Sequence, residues 1–229
     1  MERSQQLPPL WRPYAEAARD EGMRLTKSIL GPGRSGSRLD DLARRLHKEL
    51  DRMIEQAFEA LPGDRPACTA GCDHCCRTLR VTVTPVEVFA IVHRLRGSHD
   101  LDPALRYRLV APAASSLPAP ETPAPGRAMA VPCPLLADGL CLVYSTRPLA
   151  CRGCVSADAS LCAACDDERL VPRSTAHQVG AAAMAAGVTL ALGALGLAGT
   201  PVEIRRGSAL AFCDEEAEKR WLRGEDVFA

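Results

Sequence analysis

Aromatic residues, net charge and an apolar leader are what this 229-residue chain has least of. Aromatics make up 4% of the sequence, too few for a surface that stacks nucleic-acid bases. Acidic and basic residues balance at 28 each, so there is no basic footprint for nucleic acid and no polybasic patch for a membrane surface. The N-terminal MERSQQLPPLWRPY is polar and proline-bearing and lacks the apolar centre of a secretory signal. This reading places the chain in the cytoplasm, where thiols are kept reduced. Recognisable catalytic signatures are missing as well. There is no HExxH and no GxGxxG, and GPGRSGS at 31–37 lacks the Lys-Ser/Thr ending of a phosphate-binding loop, so it reads as a flexible linker.

Long apolar runs are also scarce. Gln178 to Val202 carries no charge over 25 residues, long enough to span a bilayer. Alanine and glycine dominate it, however, and aromatic anchors are absent from both ends. It reads as one or two buried helices packed closely through small residues, and no membrane span is expected. Met184 within it reads as packing.

Cysteine is abundant instead. The chain has 11, and 10 of them lie between Cys68 and Cys165. In a reducing compartment, clustered cysteines point to metal ligation or redox chemistry before structural disulfides.

The rest of the sequence reads as helix. Residues 1–36 are expected to be a flexible N-terminal segment, with Tyr14 to Leu30 able to form a short helix. Residues 37–229 are expected to form one domain. Leu39, Leu42, Leu46, Leu50, Met53, Ile54, Ala57 and Leu61 recur every three or four residues, which predicts a helix from Ser37 to Leu61 with one apolar stripe and Ser37 as its N-cap. Thr84-Pro85-Val86-Glu87 carries a capping-box pattern and a proline at the first helical position, so a helix is predicted from Pro85 to about Arg96. Asp102-Pro103 opens another short one. Residues 111–127 are rich in Pro, Ala and Ser and read as a mobile loop. The last third is helical through Glu215 to Leu222. The expected fold is mainly α: a single helical domain around an irregular cysteine-rich metal-binding centre, with at most a short hairpin near Arg80 to Val83.

The first cysteine block is C-x3-C-x2-C-C: Cys68, Cys72, Cys75 and Cys76. Two thiolates separated by two residues can grip one metal, because the intervening turn brings both sulfurs to one side. Gly71, just before Cys72, is placed for a tight turn with positive φ. The side chains of adjacent Cys75 and Cys76 are expected to diverge, so one zinc would rarely use both well. Such a pair suits a polynuclear cluster, or one ligand beside a free or second-site thiol. His74, between Cys72 and Cys75, could ligate but reads as a bystander in such a loop.

The second block begins CPLLADGLCLVYSTRPLACRG at Cys133. With the first block, its Cys133, Pro134, Leu136, Gly139, Cys141, Tyr144, Arg147, Pro148, Cys151 and Arg152 resemble the hallmark of the YkgJ-like CxxCxxCC cysteine-cluster family. The resemblance covers about residues 65–228. It implies chelation of zinc or iron, with no reaction assigned for most members. A related cysteine pattern in flagellin lysine methylases is associated with an iron–sulfur cluster, which makes such a cluster the stronger option over zinc or iron ions.

One feature departs from the family. Cys151, Cys154, Cys162 and Cys165 form C-x2-C-x7-C-x2-C, a pattern suited to a tetrahedral thiolate site. The sequence leaves open whether Cys151 belongs to this second site or to the family site, and whether the extra cysteines supply a second cluster or a resolving thiol pair. All ten clustered cysteines are therefore candidate metal ligands. Tyr144, Arg147 and Arg152 are candidates to donate hydrogen bonds to thiolates and offset their charge; the plainer alternative is a core tyrosine and salt-bridged arginines. Cys213 reads as a buried small hydrophobe.

Three functions follow, with a metal ion as partner in each. One is a metal-binding protein whose site is structural or electron-carrying. Another is a cluster-dependent enzyme that modifies a protein or small molecule. The last is a thiol redox sensor or metal chaperone.

Overall fold

A computed structural model describes residues 7–63, 65–69, 71–97, 103–114, 132–164, 171 and 173–229. Among these are ten α-helices and four two-residue strands, and the mainly helical expectation holds.

Helix α1, Arg12–Leu30, departs from the expected loose N-terminal segment. It runs 19 residues and buries Ala18, Leu25, Ile29 and Leu30 in the same core as the rest of the chain. The helix therefore begins two residues before the predicted Tyr14 and is part of the domain. Its partner is α8, Thr175–Ala194, which makes its most extensive contacts with α1. The two backbones approach where only hydrogen fits. A Cβ on Gly187 would collide with the Arg19 carbonyl, and one on Gly22 with that of Met184. This close approach is what the small-residue run encodes: one helix, with Met184, Val188 and Leu192 fully buried. α8 is long and apolar enough to cross a membrane by length and composition, and 44% of its most apolar window is buried inside the protein.

Helix α2, Gly36–Ala60, buries the predicted stripe from Leu39 to Ala57. Its N-cap is Ser35, whose carbonyl receives the Arg38 and Leu39 N–H groups, two residues earlier than Ser37. The expected linker is thereby shortened to the turn before Gly36. The five-residue α3, His74–Thr78, follows within the first cysteine block. α4, Pro85–Arg96, has the predicted bounds and capping box.

Strand β1, Thr82–Val83, pairs antiparallel with β4, Val202–Glu203, in the register Thr82 to Glu203 and Val83 to Val202. The strand is where it was expected, but its partner lies across the chain. The local hairpin is elsewhere: β2, Leu136–Ala137, against β3, Leu140–Cys141. α5, Pro103–Ala114, continues helical into the start of the expected loop 111–127, the rest of which lies outside the described residues. α6, Leu149–Gly153, and α7, Ala159–Ala164, carry later cysteines. α9, Ile204–Cys213, and α10, Ala217–Leu222, close the fold. Trp221 and Phe228 pack their rings on Phe89 of α4.

Candidate metal centre

Backbone hydrogen bonds carry the cysteine blocks to one place. The Cys133 N–H donates to the Cys76 carbonyl at 2.7 Å, which joins the first block to the second. The β2–β3 hairpin then turns Cys141 back toward Cys133. Its two turn residues, Asp138 at φ 48° and Gly139 at φ 77°, have the signs of a type I′ turn. Asp-Gly between two strands is the sequence signal for such a turn, and sequence reasoning passed over it here. Gly71 takes φ 88° before Cys72, as expected.

Glu87 positions the third segment. It is 2% exposed. Its Oε2 accepts from the Thr84 N–H and hydroxyl at 2.8 Å each, and its Oε1 accepts from the Leu149 N–H at 2.6 Å. One carboxylate therefore caps α4 and holds the start of α6, which bears Cys151. Burial raises the Glu87 carboxyl above its ordinary range, and these hydrogen bonds oppose the rise. The capping pattern was visible in the sequence, but the reach to Leu149 was not.

Cys72, Cys75, Cys76, Cys133, Cys141, Cys151 and Cys154 line one cavity of about 330 Å³, together with Tyr144, Arg147 and Arg205. Cys68 and Cys162 stand outside its lining. Cys165 lies outside the described residues. Cys213 is exposed at the end of α9, contrary to the buried reading. No disulfide joins the ten described cysteines to one another. Among the described residues no three His, Cys, Asp or Glu side chains are gathered tightly enough to hold an ion as they stand.

The Cys76 thiol donates to Cys75, which lowers the Cys75 thiol to about 6, helped by the nearby Arg173 and Arg147 guanidiniums. The same bond holds the Cys76 proton, and burial and the Cys75 charge push that thiol far up. Burial raises Cys133 to about 11 and also raises Cys72, Cys141 and Cys151. Raised thiols must give up their protons to become ligands, so metal binding here would release protons.

The two arginines of the motif face different ways. Arg147 lines the cavity, and its guanidinium lies 4.7 Å from the centre of the half-exposed Tyr144 ring. Arg152 turns away. It donates to both Asp51 carboxylate oxygens at 2.9 Å and to the Arg147 and Ser145 carbonyls at 3.1 Å.

The donor set is soft thiolate sulfur with cationic neighbours, chemistry that suits zinc, iron or an iron–sulfur cluster. No curated protein and no solved structure matches this chain. Residues 67–166 match the family model of the CxxCxxCC domain, described as a "putative zinc- or iron-chelating domain", the cysteine-cluster family that their motifs resemble.

Proposed function

We propose that the chamber holds an iron–sulfur cluster, in a structural or electron-carrying role. Metal chelation in general rests on the family match. The cluster in particular rests on one observation: seven thiols surround a single cavity of about 330 Å³. A lone ion closed by four sulfurs needs no such room, since a water in the liquid occupies about 30 Å³. A polynuclear group fills the space and takes ligands from several segments at once. Adjacent sulfurs such as Cys75 and Cys76, which suit a lone ion poorly, fit its separate metal atoms. Cys75, Cys133, Cys141 and Cys151 are the residues that would hold the cluster, and Arg147 and Arg205 would offset its charge. Bound there, the cluster would supply one-electron chemistry. Thiolate ligands call for a reducing compartment, taken here to be the cytoplasm.

The test is a pair of single substitutions. C133S removes a chamber thiol and is expected to lose most of the iron and acid-labile sulfide. C213S removes an exposed thiol at the far end of α9 and is expected to retain both. Equal iron in the two variants would contradict the assignment.

A second reading, a cluster-dependent enzyme, has one observation in its favour. A groove of about 1100 Å³ runs between α8 and the β1 segment, and Leu79 and Cys154 line both it and the chamber. A substrate in that groove would lie next to the centre. Electron paramagnetic resonance distinguishes the readings: an enzyme's cluster changes its signal when substrate binds, whereas a closed structural cluster does not.

A further inference from the structure

Away from the cysteines, a cleft of about 600 Å³ opens between α2, α4 and the chain from Ser145 to Arg152. None of the chamber cysteines lines it. Where α2 and α4 face each other here they present Ala43 and Ala90, two buried residues whose short side chains leave the room. His47 of α2 also lines the cleft. It is 5% exposed, and its Nε2 has no hydrogen-bond partner among the described residues. Burial and the Arg152 and Arg147 charges lower the ring to about 3. The ring is therefore neutral near pH 7 and offers Nε2 as a donor or an acceptor. A buried polar atom without a partner is rare in a folded chain, and this one belongs to a side chain that lines an open cleft.

The charge around His47 is unbalanced. Four lysine and arginine side chains line the cleft against two aspartates. Both aspartates are engaged, Asp40 with His93 at 2.8 Å and Asp51 with Arg152 at 2.9 Å. Arg44 pairs with Asp41 at 2.6 Å. Lys48 and Arg94 make no ion pair among the described residues, and they stand on different helices, α2 and α4, of the same cleft. We propose that this cleft binds a phosphate monoester, with Lys48 and Arg94 holding the phosphate and the His47 ring hydrogen-bonding to the bound molecule. A dianion matches two unpaired cations, and the arginine fork suits phosphate oxygens. The volume lies within the range of small-molecule sites, so the organic part of the ester has space beside Ala43 and Ala90. The site stands apart from the chamber and does not depend on what the chamber holds.

The test is calorimetric titration of the full-length protein in phosphate-free buffer, with glycerol 3-phosphate as the probe and succinate as a carboxylate dianion. The wild type is expected to bind glycerol 3-phosphate at a single saturable site, more weakly as salt is added, and to bind succinate less tightly. K48A and R94A each remove a charge-assisted contact and are expected to weaken binding about tenfold or more. H47L removes the ring nitrogens at similar bulk. It is expected to weaken binding while its denaturant midpoint stays at or above that of the wild type, which a purely structural histidine would not give. K27E reverses an exposed charge on α1, outside the cleft, and is expected to bind as the wild type does. Iron and sulfide are expected at wild-type levels in all four variants. Four results would overturn the proposal: no saturable binding by the wild type, succinate bound as tightly as the phosphate ester, K27E weakened as much as K48A and R94A, or H47L binding as the wild type does.

Discussion

The Arg152 guanidinium is 11% exposed and spends its donors on Asp51 and on the carbonyls of Ser145 and Arg147. Five residues earlier, Arg147 lies over Tyr144 and its charge reaches the Cys75 and Cys141 thiols. The two should respond differently to truncation. R152A removes four hydrogen bonds to exposed or half-buried acceptors and is expected to cost about 0.5–1.5 kcal/mol of stability, read as a lower denaturant midpoint, with metal content unchanged. R147A is expected to lower metal content with little change in midpoint, and R147K to restore part of it. Metal loss in R152A and retention in R147A would reverse these roles. The motif named both arginines but could not orient them, because the Asp51 that captures Arg152 is 101 residues away. Cys213 follows an apolar run, but the end of α9 leaves it in solvent.

At the scale of elements, the α1–α8 contact carries the sharpest prediction. G187A would push a methyl into the Arg19 carbonyl and is expected to destabilise by about 1–3 kcal/mol, as overpacked sites do. G193A, in the same helix with open space around it, is expected to stabilise by about 0.5–1 kcal/mol through helix propensity. Thermal or denaturant unfolding reads both, and equal effects would contradict the packing described. The elements legible in the sequence are those with local signals. α2 shows its stripe, and α4 shows its cap and proline. α1 was read as loose because Ala18 and Gly22 sit at its contact surface and offer no apolar stripe; what holds them is α8, more than 150 residues on. β1 likewise showed its extended run but not its partner at Val202–Glu203. The β2–β3 hairpin was legible in Asp138-Gly139, but the cysteine motif around it drew the reading to ligands instead of turns.

For the whole molecule, a single core runs from Trp11 to Phe228, so the boundary expected at residue 36 falls inside one packed unit. Long-range polar contacts tie that unit together, and His93 is the clearest. Its Nδ1 lies 2.8 Å from Asp40 on α2, and its Nε2 meets Glu218 on α10. The hydrogen bonds to these two carboxylates raise His93 from 6.5 to about 9. A group raised in the folded state contributes stability that is fully present below its unfolded value of 6.5 and is lost as pH rises through about 9. The stability difference between wild type and H93Q is therefore expected to be larger at about pH 6 than at about pH 10. A difference that stays constant or grows with pH would contradict the ion-paired geometry.

The site was legible as composition before it was legible as structure. Ten clustered cysteines and the shared motif announced a metal centre, but which thiols share a wall depends on the Cys133–Cys76 and Leu149–Glu87 hydrogen bonds, and no spacing rule contains those. The most direct test of the central claim is iron, zinc and acid-labile sulfide per chain, with the visible absorption spectrum, on wild-type protein purified without oxygen. The chamber predicts brown protein with iron and sulfide in comparable amounts and broad absorption that bleaches on reduction. Colourless protein with zinc alone would replace the cluster by a mononuclear thiolate centre. Protein without metal and with its chamber cysteines paired in disulfides would contradict the account.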